Sequence, residues 1–247
     1  MPDTHDFRSP RLFVDADLDP GGAIPLAREQ ANYLINVMRR GAGDLVLVFN
    51  GRDGEWRARI EIAGKRQASL VIENQARAQS GGPDLHYLFA PLKRSRLDYM
   101  VQKATELGVA RLQPVLTRHT VAERVNGERM RANIIEAAEQ CGILRIPTVA
   151  PPERLDRALA SWDPARRLIF CDEGAPIADP VAALRNVAPG PIAVLIGPEG
   201  GFAPEERDAL VALPFVVRLA MGPRIMRADT AAVAALTLVN AVLGDWK

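Results

Sequence analysis

From residue 85 onward, apolar runs of strand length alternate with stretches whose apolar residues fall at helical spacing. This alternation limits the fold more than any other feature. The runs are LHYLFAP (85–91), VARLQPVL (109–116), RRLIFCD (166–172), PIAVLIG (191–197) and FVVRLA (215–220). Helical spacing covers 96–107, 128–141, 204–213 and 229–243. Strands that are continuously apolar and separated by helices predict an α/β domain, with a parallel sheet and helices on both faces.

The first part of the chain has another rhythm. RLFV (11–14), DLVLVF (44–49), WRARIEI (56–62) and ASLVIE (68–73) are short strand candidates. Turn-forming GAGD (41–44), NGRDG (50–54) and AGK (63–65) punctuate them. One helix, predicted over 27–39, carries Tyr33, Leu34, Val37 and Met38 at helical spacing. Close-spaced strands with a single helix predict a small β-barrel. The polar stretch 73–84 contains Gly-Gly-Pro and reads as a seam. The expected organisation is a barrel over 1–75, a linker over 76–84 and an α/β domain over 85–247.

Charge and cysteine usage narrow the function classes. The formal net charge is +1, so any nucleic-acid surface must come from local clustering. Cys141 and Cys171 make neither a disulfide framework nor a zinc pair, and no metal-ligand cluster is present in the sequence. The N-terminus is polar, and no stretch approaches the roughly 20 apolar residues that span a bilayer. The run AAVAALTLVNAVLG reads as a buried helix. These features predict a soluble cytoplasmic protein with reduced cysteines and no membrane partner.

Two loops stand where open α/β sheets bind ligands, beyond the carboxyl ends of strands. The first is Gly197-Pro198-Glu199-Gly200-Gly201, where bare glycine backbone can approach a ligand closely. A tight strand-to-helix turn would use the same residues. No G-x-G-x-x-G precedes a helix and no G-x-x-x-x-G-K-[ST] occurs, which removes the Rossmann dinucleotide and P-loop readings. The second loop runs from Met221 to Ala231 and holds a Gly-Pro pair, Arg224, Arg227, Ile225 and Met226. Asp229 or Thr230 could cap the helix that follows.

The pair IGPEGGF and MGPRIMRADTA, each between a strand and a helix, resembles the ribosomal RNA small subunit methyltransferase E family of the SPOUT class. LDYMVQKATELGVARLQPVLTRHT (97–120), IIEAAEQCG (134–142), RLFV and VMRRGAGD (37–44) resemble the same family, so the likeness spans nearly the whole chain. Met221, Met226 and Asp229 are conservative departures from the family pattern, and Asn32 and Ile143 depart further. The resemblance implies a PUA-like RNA-binding barrel before a SPOUT α/β-knot with a deep trefoil knot. It also implies a homodimer that uses S-adenosyl-L-methionine to methylate N3 of a uridine, conventionally position 1498, in 16S rRNA of the 30S subunit.

Carried over by motif position, the cofactor residues are Phe170, Glu173, Ile196, Gly197, Pro198, Glu199, Gly200, Gly201, Leu219, Ala220, Met221, Gly222, Ile225 and Met226. Asp229 is implied as the group that takes the uracil proton, and Arg227 as the group that stabilises the anion. The stretch 93–131 holds nine Lys/Arg against four Asp/Glu. Lys93, Arg94, Arg118 and Arg124 there, with Arg8, Arg11 and Arg39 in the barrel, are the expected RNA contacts. His119 reads as a surface residue of that cluster. Two rivals stay open at this point: a SPOUT enzyme with another RNA target, and a non-catalytic ribosome-assembly factor.

Overall fold

Two β-sheets of different construction account for the two rhythms of the sequence. The computed structural model describes residue 6 and residues 9–64, 67–121, 124–176 and 179–246. It divides into two units, one of residues 1–81 with 135–146, the other of 82–134 with 147–247.

The first unit contains β1 (Arg11–Phe13), β2 (Ala23–Pro25), β3 (Leu45–Phe49), β4 (Glu55–Gly64) and β5 (Gln67–Arg77). They form one sheet in the order β1-β3-β4-β5-β2, with β1 and β3 parallel and the remaining pairs antiparallel. Leu12, Val46, Val48, Ala58, Ile60, Leu70 and Ile72 share one core with Leu34. Phe13 and Phe49 lie on the opposite face, edge-to-face at 5.7 Å, and pack with Ala138 and Leu144. Burial on both faces is why LVLVF lacks polar alternation.

Three expectations change here. The helix over 27–39 is α1 (Arg28–Asn32) running into a π-helical turn, Tyr33–Val37, and Arg39 is left-handed at φ 54°. The wider turn breaks the shared face of the apolar residues. Leu34 is fully buried, while Val37 and Met38 are 61% and 37% exposed. Strand β5 runs four residues beyond its apolar end at 73, because Arg77 pairs with Glu55 in both backbone register and side chain. Arg11 is not an RNA contact. Its guanidinium is 4% exposed, bound to Glu55 at 2.9 Å and to the Asp6 carbonyl at 2.7 Å, and Glu55 also holds Arg77 at 2.7 Å. A charge so enclosed cannot reach a phosphate.

The second unit contains, in chain order, β6 (Leu85–Phe89), α2 (Arg94–Glu106), β7 (Arg111–Leu116), α3 (Gly127–Cys141, grouped with the first unit from residue 135), β8 (Thr148–Val149) and β9 (Glu153–Arg154). It continues with α4 (Leu155–Ala160), β10 (Arg167–Cys171), α5 (Pro180–Arg185), β11 (Ile192–Ile196), α6 (Pro204–Val211), β12 (Val216–Leu219) and α7 (Ala228–Val242). The sheet order is β12-β10-β11-β6-β7-β8, with β9 also on β7, and every pairing is parallel. Leu88, Leu168, Phe170, Ala193 and Leu195 face α4 and α6. Tyr87, on the other face, donates its hydroxyl to the Met100 sulfur of α2 at 3.1 Å, and α7 packs on α2, α5 and β11. Helices therefore cover both faces, as the alternation predicts. Among the described residues no helix is long and apolar enough to cross a membrane.

Candidate active site

Parallel pairing brings the carboxyl ends of β12, β10 and β11 to one edge as immediate neighbours. The loops after these strands, which begin at Ala220, Asp172 and Gly197, leave the sheet side by side. The two glycine-containing motifs of the sequence thus stand at the same sheet edge, with the loop after β10 between them, although they lie a strand and a helix apart in the chain.

The loop after β11 is fixed by its own side chains. A Cβ at Gly197 would lie 2.4 Å from Cε2 of Phe202. Phe202 folds back over this bare backbone and meets Phe170 edge-on, ring centroids 5.1 Å apart. Gly197 therefore makes room for the chain's own ring, a role the sequence did not reveal. Gly201 needs glycine for another reason, a left-handed φ of 69° with open space around its Cβ position. Glu199 is ion-paired with Arg96 at the start of α2.

The loop after β12 starts on buried Leu219 and Ala220, then turns at Gly222 with φ 87°. Met221 and Met226 are half-buried. Ile225 is 90% exposed, so within this chain it forms no apolar wall. Two other expected cofactor residues are also placed differently. Phe170 is 1% exposed and turned into the core under α4 and α6, leaving only backbone for a ligand, and Glu173 points to solvent.

Asp172 organises the third loop, and the sequence reading assigned it no ion-pair role. Its side chain is 3% exposed. It accepts from Arg207 of α6 at 3.1 Å, from Arg218 of β12 at 2.7 Å and from the Gly174 N–H at 3.1 Å. Arg218 also donates to the Gly174 carbonyl. Burial by itself would raise the Asp172 carboxyl, but the hydrogen bonds from Arg207, Arg218 and Gly174 outweigh it and hold it below the usual aspartate range. One carboxylate thus ties the loop after β10 to strand β12 and to α6, the helix that follows β11. The available signal was an arginine inside an otherwise apolar strand, VVRL. Beside it, burial pushes the Cys171 thiol up to about 12, which rules out a thiolate nucleophile.

Arg227 and Asp229 stand at the start of α7. Arg227 occupies the N-cap position without a side-chain cap bond and is exposed. Asp229 lies in the first turn, half-buried, and accepts the Thr230 N–H at 3.0 Å. Neither Asp229 nor Thr230 is the N-cap of this helix. Asp229 forms no ion pair among the described residues. Tyr87 is held well above its ordinary range, first by burial and then by the Cys171 and Asp229 charges.

The basic cluster is split. Lys93, Arg94 and Arg124 are exposed, as is Arg39 in the barrel unit. Arg118 is exposed but pairs with Glu205 at 3.3 Å. His119 is more than a surface residue, because its Nδ1 lies 3.1 Å from both the Gly200 and the Gly201 carbonyl oxygens. Arg8 lies outside the described residues.

Residues 80–240 match the model of the RNA methyltransferase domain, and residues 26–73 match that of the RNA methyltransferase PUA domain. The chain belongs to the RNA methyltransferase family. The Rickettsia conorii ribosomal RNA small subunit methyltransferase E is 27% identical over 236 residues, covering 93% of this chain and 94% of the relative. A methyltransferase from Legionella pneumophila, solved in complex with the bound cofactor SAM, is 30% identical with a TM-score of 0.84, covering 96% and 99%. The Neisseria gonorrhoeae ribosomal RNA small subunit methyltransferase E, bound to S-adenosyl methionine, is 24% identical with a TM-score of 0.87, covering 97% and 100%. The resemblance to the small subunit methyltransferase E family is upheld. So is the expected α/β domain behind a PUA-like domain, and the assembly-factor reading gives way to that of an enzyme.

Proposed function

We propose that this methyltransferase moves the methyl group of S-adenosylmethionine to N3 of a uridine in 16S rRNA, conventionally position 1498, as a cytoplasmic homodimer acting on the 30S subunit. The observation that carries this reading is that the loops opening at residues 172, 197 and 220 share one sheet edge, in a chain similar over more than nine-tenths of its length to a small subunit methyltransferase. A knotted path through these loops and an RNA-holding barrel belong to the same reading.

The residues present fit the cofactor. Gly201 and Gly222 leave open space where side chains would stand, half-buried Met221 and Met226 offer apolar surface for an adenine face, and buried Leu219 and Ala220 offer their backbone. When bound, S-adenosylmethionine supplies a methyl group on a sulfonium, ready for transfer to a nucleophile. Uracil N3 carries a proton at neutral pH and must lose it to accept that methyl. The Asp229 carboxylate takes this proton, and Arg227 faces the negative charge left on the base. Lys93, Arg94 and Arg124 meet phosphates.

The test is transfer of labelled methyl to 30S subunits that lack the modification, with the product nucleoside mapped by mass spectrometry. A single N3-methyluridine at the stated position is the expected result. Cofactor binding without transfer would redirect the search to other RNAs.

A further inference from the structure

We propose that His119 is a positioning residue for methyl transfer. It holds the glycine loop 197–201 in the shape that receives S-adenosylmethionine. The inference rests on the cofactor reading above.

His119 lies on the loop after β7, and β7 is separated from β11 by β6. The side chain therefore spans the end of an intervening strand to reach the loop. Its Nδ1 is 3.1 Å from the Gly200 carbonyl oxygen and 3.1 Å from that of Gly201. Both neighbours are acceptors, so Nδ1 carries the proton and donates to them. The ring also lies over the bare face of Gly200, where a Cβ would stand 3.4 Å from the Cβ of His119.

The histidine is itself held in place. Thr120 Oγ1 accepts the Thr117 N–H at 2.8 Å, and the Thr120 N–H returns to the Thr117 carbonyl at 3.2 Å. Between them, the Arg118 N–H donates to Glu206 at 2.9 Å, and the other oxygen of Glu206 accepts the Ala203 N–H at 3.0 Å. The turn that carries His119 is thus tied to the far end of the same glycine loop. With Arg96 on Glu199, the loop is gripped at three points: Glu199, Gly200–Gly201 and Ala203.

A peptide whose C=O faces the ring must turn its N–H the opposite way, because the peptide unit is planar and trans. His119 therefore sets the orientation of the Gly201–Phe202 peptide, and shares that of the Gly200–Gly201 peptide with the Gly201 N–H, which donates to the Pro198 carbonyl at 2.9 Å. Glycine resists such ordering most, since it has the most conformational freedom to lose. A fixed donor outside the loop meets that entropic cost before the cofactor arrives.

The test uses the full-length chain with His119→Ala, His119→Asn and His119→Gln. Asn places an amide nitrogen where Nδ1 stands, whereas Gln reaches one methylene further. Calorimetric titration with S-adenosylmethionine should show a Kd raised about three- to tenfold for H119A and H119Q, the worth of one shared hydrogen bond. H119N should recover most of the affinity. Unfolding midpoints should stay within about 2 °C of wild type, as for a surface change. In methyl transfer the loss should fall on the KM for S-adenosylmethionine more than on kcat. An H119A chain that binds as wild type overturns the proposal and leaves the cofactor reading standing. Equal weakening of all three variants with lowered midpoints also overturns it, since the residue would then serve stability alone. A wild-type chain that takes up no S-adenosylmethionine removes the cofactor reading, and this proposal with it.

Discussion

Asp229 and Asp172 carry the same side chain in different surroundings. Asp229 is half-buried and forms no ion pair among the described residues. Asp229→Asn should lower kcat by about 100-fold or more, the usual worth of a general base, with the Kd for S-adenosylmethionine unchanged. Single-turnover methyl transfer beside calorimetry checks this, and equal loss of both would remove the base assignment. Asp172 is saturated by two arginines and a backbone N–H. Asp172→Asn should cost about 2–3 kcal/mol at pH 7, since it leaves two guanidinium groups partly enclosed without a counter-charge. The folded pKa of Asp172 is depressed, so its contribution is present above the unfolded value of about 3.9 and is lost as pH falls through the folded value. The gap between wild type and D172N should therefore be constant near neutrality and close below about pH 4. Denaturant melts from pH 7 to pH 3 measure it.

At the scale of elements, the glycine loop shows that similar residues can be required for different reasons. Gly197→Ala drives a methyl into the Phe202 ring and must displace it from Phe170. Overpacking of that kind costs about 1–3 kcal/mol. Gly201→Ala meets no neighbour and suffers only the left-handed backbone, about 1 kcal/mol. G197A should thus lower the unfolding midpoint more than G201A, and should also weaken S-adenosylmethionine binding through the displaced ring. Reversal of that order in thermal melts would show that Phe202 adapts freely. The π-helical turn at Tyr33–Val37 is another element-level departure, since equal helical spacing in the sequence does not reveal a turn that is wider by one residue.

For the whole molecule, the net charge of +1 means that RNA affinity has no global source. Lys93→Ala with Arg94→Ala should weaken rRNA binding at low salt. It should reduce the slope of log Kd against log salt by about 1.5, the release of two phosphate counterions. Filter binding across a salt series reads this directly. A second prediction concerns the first unit. Phe13 and Phe49 are covered by residues of 135–146, so a fragment ending at residue 81 would expose that face. Such a fragment should melt without cooperativity, and addition of a 135–146 peptide should restore a transition in circular dichroism.

Chain order and apolar rhythm determined most of this fold. Continuous apolar runs between helices specify a covered parallel sheet, because only burial on both faces tolerates them. The two strand–loop–helix motifs located the candidate site, because parallel strands place their loops at one edge. The short elements β2, β8, β9, α4 and α5 were not legible, since none carries a continuous apolar run or enough turns to show a period. Ion pairing was equally hidden. Arg11 and Arg118 look alike in sequence, yet one is enclosed with Glu55 and the other stands in solvent. The link from Asp172 to Arg207 and Arg218 spans 35 and 46 residues, and that from His119 to Gly200 spans 81. Such partners are chosen by the order of the strands in the sheet and by where the helices between them pack. Sequence periodicity fixes what each strand buries, whereas only tertiary packing decides which polar groups meet at its ends.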